Sequence, residues 1–158
     1  METLVLFLRW AHVIGACVLL GTGAGIAFFM LLAHRTRDPA FIAKMADIVV
    51  LADFVFTASA VVLQPITGAS LAALLGWKLT DAWLALSLCL YALTGALWLP
   101  VVWMQMRLRD LARASAQSGE ALPPRYFRLF RLWLLCGAPA FLAVLTIIWL
   151  MLARPSFG

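Results

Sequence analysis

Apolar residues run along this chain in four long blocks separated by polar stretches. Thr3–Leu32 carries one charge, Arg9, and Ile48–Gly76 carries one, Asp53; Ala82–Met104 and Leu132–Ala153 carry none. An α-helix needs about 20 apolar residues to cross a bilayer, and all four blocks reach that length. Only helices and closed barrels satisfy their backbone groups in lipid, and continuous runs lack the alternation of barrel strands. The pattern predicts an all-α, integral-membrane, four-transmembrane-helix bundle of up-down-up-down topology, forming a single domain over 1–158.

Polar residues inside the blocks recur at helical spacing. Asp53, Thr57, Ala60, Gln64 and Thr67 stay within about 40° of one line on the second span. Ser87, Tyr91, Thr94 and Trp98 do the same on the third. On the first span His12, Ala16 and Gly23 share a line, with Arg9 about 60° away. Polar groups facing lipid are costly, so these faces are expected to turn toward one another. Gly21-Thr-Gly-Ala-Gly25 contains a GxxxG, which lets helix backbones approach within the bundle or across a homodimer seam. Pro65, Pro100 and Pro139 fall inside spans, where each removes a backbone donor. Gln64 adjoins the first of them.

Composition agrees with lipid as the surrounding medium: 65% of the 158 residues are hydrophobic and 12% charged. Soluble domains are about 45–50% apolar and about 25% charged. The net charge of +5 sits between the spans, so it speaks for membrane orientation and against nucleic acid as a partner. His34–Asp47 holds Arg35, Arg37 and Lys44, and Gln105–Arg131 holds six arginines, whereas the second loop has only Lys78. The basic loops are therefore expected in the cytoplasm and both termini outside. Trp10, Trp77, Trp83 and Trp149 then mark the outer interface, and Trp98, Trp103 and Trp133 the inner one, as aromatic belts. The first apolar run is too long for a cleavable signal. The run Arg125-Tyr-Phe-Arg-Leu-Phe-Arg131 presents three arginines on one face, either snorkelling or meeting an anionic group.

Candidate chemistry is sparse. Cys17, Cys89 and Cys136 form no CxxC and read as small buried apolar residues. No hydrolase triad, metalloprotease motif or Met-rich or His-rich metal tract occurs, so catalytic residues stay unassigned and no metal site is expected. His12 is the leading ligand or haem candidate, with hydrogen-bonded packing or proton handling as its other readings. His34 lies about 33 Å further along the same helix, so the two histidines cannot share one iron within a monomer. Asp53 has structural or interfacial readings and, alternatively, proton or cation handling.

Leu8-Arg-Trp-Ala-His12-Val-Ile-Gly-Ala, Asp53-Phe-Val-Phe-Thr57, Leu63-Gln-Pro-Ile-Thr-Gly68 and Gly76-Trp77 together resemble the domain of unknown function 2269 family of bacterial integral membrane proteins. Through it the chain is distantly similar to four-helix protoporphyrinogen oxidases of the HemJ type and to copper-resistance D membrane domains. The oxidase resemblance implies a haem or porphyrin ligand at His12. It also implies a third-span lysine and histidine, but the lysine position reads Ser87 here and no histidine follows. The resemblance implies a small bacterial inner-membrane protein with no settled reaction, in which the outward termini expected from the loop charges would be periplasmic. An outer-leaflet pocket lined by His12, Thr67, Ser70, Ser87 and Tyr91 is one expectation. A haem-linked redox protein is a second, and a transporter using Asp53 and Gln64 is a third.

Overall fold

The computed structural model describes residues 1–155; the last three residues of the expected domain lie outside the described residues. Five α-helices and one π-helical turn follow in order: α1 (Glu2–Thr36), α2 (Pro39–Ala52), the π turn (Asp53–Thr57), α3 (Ala58–Leu75), α4 (Ala82–Ser118) and α5 (Pro124–Ala153). Helix α2, the π turn and α3 run on as one rod over Pro39–Leu75, so four helices are long and apolar enough to cross a membrane. Large apolar side chains such as Leu6, Leu135 and Leu152 stand exposed on the outer surface, as expected where lipid replaces water.

The helices outrun the apolar blocks on the basic face. The segments read as loops from His34 to Asp47 and from Gln105 to Arg131 are mostly helix, because hydropathy reports the cost of lipid and not where hydrogen bonding stops. What remains between helices is short. Arg37 turns into the left-handed region after α1, and the Asp38 carboxylate then accepts from Ala40 N–H at 2.9 Å to cap α2. Gly76 and Gly119 end α3 and α4 at φ 69° and 71°, a conformation that suits glycine. Pro124 opens α5 at its first turn, where the missing N–H costs nothing.

Two hairpins make the bundle. Helix α1 packs along α2 and α3, and α4 packs along α5. The hairpins meet chiefly where α2 lies against α4, on the basic face. There Met30, Ile42, Leu108, Tyr126, Phe130 and Trp133 share one apolar core. His34 stacks on Phe130 with centroids 3.8 Å apart, and Asp47 pairs with Arg109 and Arg113 at the rim. On the face holding the termini a smaller cluster joins Ala72, Trp83, Leu84, Trp77 and Met151. The Arg154 guanidinium caps it, 4.4 Å from the Trp77 ring centroid.

Several expectations change. Cys17 and Cys89 are exposed on the bundle surface and Cys136 is half-buried; small apolar residues need no burial when the solvent is lipid. Trp83 and Trp133 are buried and leave the aromatic belts, while Trp10, Trp103 and Trp149 remain exposed. Gly21 is exposed and its GxxxG makes no close approach within the chain. The glycines that bring α1 and α3 together are Gly15, against Gln64, and Gly68, beneath His12.

Candidate functional site

The polar stripe of the second span does turn inward. Asp53, Thr57, Gln64 and Thr67 are each at least nine-tenths buried. The π turn widens the helix by one residue at Asp53–Thr57 and leaves Phe54, Val55 and Phe56 outside. Such turns often accompany functional positions. Ser87 is buried and Tyr91 half-buried on the facing side of α4.

These residues separate into two groups. Toward the terminal face, His12, Gln64 and Thr67 form a closed seam between α1 and α3. His12 Nδ1 lies 2.8 Å from Thr67 Oγ1, whose own hydroxyl donates to the Leu63 carbonyl at 2.8 Å. With that hydrogen committed, the network assigns the imidazole proton to Nδ1. Gln64 Nε2 donates to the His12 carbonyl at 2.7 Å. Ser70 and Ser87 each donate to a carbonyl of their own helix, Ile66 and Trp83. Every polar side chain in this seam has a partner, so its evident work is packing.

The second group lines a cavity of about 370 Å³ between the two hairpins. Its walls include Gln64 and Tyr91 but not His12, Thr67, Ser70 or Ser87, so the pocket lies deeper in the bundle than the expected outer-leaflet site. The cavity extends along α4 from Tyr91 to Gln105, about 21 Å of helix. Its upper walls are Leu19, Gly23, Phe141, Val144 and Ile148. A Cβ added at Gly95 or Gly137, both in the wall, would meet no atom within 4 Å.

Two arrangements shape this slot. Pro65 lacks an N–H, which frees the Val61 carbonyl one turn earlier. The Tyr91 hydroxyl donates to that carbonyl from α4 and so bridges the hairpins across the cavity. At the lower end Asp53, Thr57, Trp98, Gln105 and Trp133 form a polar floor. Trp98 Nε1 donates to Asp53 at 3.3 Å, and Thr57 and Gln105 neighbour the same carboxylate. Gln105 and Trp133 were missed from the sequence: Gln105 fell in an apparent loop, and Trp133 passed for an interfacial anchor. Gln105 lies eighteen residues after Ser87, about five helical turns, and thus continues the third-span stripe.

The haem implied by the oxidase resemblance does not fit this arrangement. His12 lies outside the cavity wall with its Cε1 edge against Gly68, and His34 stacks in the core at the opposite end.

Comparison with curated proteins and with solved structures gave no match for this chain. A family profile does match, over residues 6–155. Its span takes in all four crossings, the His12 seam and the whole cavity, and the chain belongs to the DUF2269 family, described as predicted integral membrane proteins.

Proposed function

We propose that this protein binds the apolar chain of a lipid-like molecule in the slot between its two hairpins. One observation carries the reading: a cleft of about 370 Å³, partly open at the bundle surface and almost wholly apolar in its upper walls, lies between two packed ends. Ligand sites of about 300–1,000 Å³ with apolar walls and a few polar groups are the common pattern. The elongated form, lined along α4 from Tyr91 to Gln105, supports an extended hydrocarbon chain, which would enter sideways from the bilayer where the hairpins part.

The reading places the protein in a bacterial inner membrane with both termini on the periplasmic side. Support comes from the arginines gathered at the opposite face. The slot's polar floor would then lie toward the cytoplasmic leaflet and its apolar upper part toward the periplasmic one.

Photolabelling in nanodiscs tests the binding claim, using hexadecane that carries a mid-chain diazirine. Label should appear on wall residues such as Gly95 and Val144. The double substitution Gly95→Leu and Gly137→Leu should remove most of it by filling the slot. Labelling confined to lipid-facing residues such as Leu135 and Leu142, and unchanged by the double substitution, would refute the reading.

A further inference from the structure

The ion pairs of the basic face form one closed network. Arg109 and Arg113 both meet Asp47, and Arg109 also holds Asp110, its Nε and one Nη donating to the same oxygen at 3.0 and 2.9 Å. Two guanidiniums there meet two carboxylates, so the network is neutral. Beside it Arg107, Asp110 and Leu111 of α4 and Arg125 of α5 line a second hollow, of about 80 Å³. Arg107 and Arg125 are exposed and form no ion pair among the described residues, so the hollow carries two uncompensated positive charges. Its depth follows from its neighbours. Trp103 is exposed on α4 one turn earlier, and the Arg107 guanidinium lies over its ring, 5.7 Å from the centroid. Tryptophan favours the membrane–water interface. Four residues of helix rise about 6 Å, and the head-group layer beyond the hydrocarbon is about 5–8 Å thick. The hollow therefore opens at the level of lipid phosphates. Leu132 and Leu135, exposed further along α5, face the acyl chains.

The hollow is far smaller than whole-ligand sites of about 300–1,000 Å³, so it takes one small group. A guanidinium fork matches phosphate oxygens with two parallel, charge-assisted hydrogen bonds. A choline or ethanolamine head would bring a further cation to two that already lack partners. Asp110 offers that cation little, since Arg109 holds it. A head of net negative charge brings no such conflict. We propose that Arg107 and Arg125 form a site for the phosphate of one anionic phospholipid, seated between α4 and α5. Basic residues near a membrane attract anionic lipid wherever they lie. The hollow adds a place, which joins Arg107 to Arg125 and leaves out Arg128 and Arg131, both exposed on α5. The site shares no wall residue with the slot between the hairpins and stands independently of chain binding there.

The test adds dioleoyl phosphatidylglycerol, phosphatidylethanolamine or phosphatidylcholine to the full-length protein in mild detergent at low salt, and counts bound lipid by native mass spectrometry. One phosphatidylglycerol per chain should bind about thirtyfold more tightly than phosphatidylcholine, the combined return from two arginines. Arg107→Gln and Arg125→Gln should each weaken it about fivefold. Arg128→Gln and Arg131→Gln should leave it nearly unchanged. Equal losses in all four variants would overturn the site in favour of a diffuse basic surface. Tightest binding by phosphatidylethanolamine, lost in Asp110→Asn, would overturn it in favour of a zwitterionic head shared between Asp110 and the arginines. Inorganic phosphate that displaces phosphatidylglycerol at equal concentration would overturn a lipid as the occupant. Equal binding of the three lipids by the unaltered protein would reject the site whatever the variants do.

Discussion

At the scale of single residues, the most informative pair is Pro65 and Tyr91. A proline inside a membrane helix leaves a carbonyl without its donor, and lipid offers no substitute. Here the substitute is a phenol from another helix, donating to Val61. Tyr91→Phe should therefore destabilise the protein by about 1–3 kcal/mol through one orphaned carbonyl. In a Pro65→Ala background the backbone N–H restored at that position can serve Val61, so the same substitution should cost much less. Thermal unfolding in mild detergent for the four members of the cycle measures the difference. Equal costs in both backgrounds would show that the carbonyl is not what Tyr91 serves. The sequence made Pro65 and Tyr91 visible separately, as a helix-breaker and as a member of a stripe. Their connection depends on how two helices are set against each other, which no spacing within one helix reports.

Among the elements, the inward stripes of the second and third spans were legible because a period of about 3.6 residues survives any context. The π turn was not, since one added residue at Asp53–Thr57 leaves hydropathy unchanged. The true helix lengths were hidden for a related reason. Beyond the bilayer α2, α4 and α5 continue on helix propensity and on packing around Leu108 and Tyr126, and arginines there look like loop residues to a hydropathy window. The approach of α1 to α3 depends on a glycine that the sequence did not single out. A Cβ at Gly15 would collide with Gln64 Nε2, the atom that donates to the His12 carbonyl. Gly15→Ala should cost about 1–3 kcal/mol by overpacking. It should cost distinctly less when Gln64→Ala is already present, a non-additivity readable by the same unfolding assay. Additive losses would place the strain elsewhere.

For the whole molecule, four crossings and the face bearing the basic residues follow from the order of apolar blocks and charges along the chain, whereas the cavity follows only from the way the hairpins part. Orientation can be checked directly. Alkaline phosphatase fused to the C-terminus should be active in a bacterial host, and a fluorescent protein there should stay dark. Fusions in the turn between Ser118 and Pro123 should give the reverse. A fluorescent C-terminal fusion would invert the assignment of the cavity floor to the cytoplasmic leaflet. The parting of the hairpins has one more consequence. Each hairpin already holds its own helix pair together, and the two share mainly the core on the basic face, far from the short link between Gly76 and Asp81. Within that link Trp77 packs edge-on against Trp83 and beneath Arg154. The packing within each hairpin leads us to expect stepwise insertion, the first pair entering the bilayer before the second docks on it through α2 and α4.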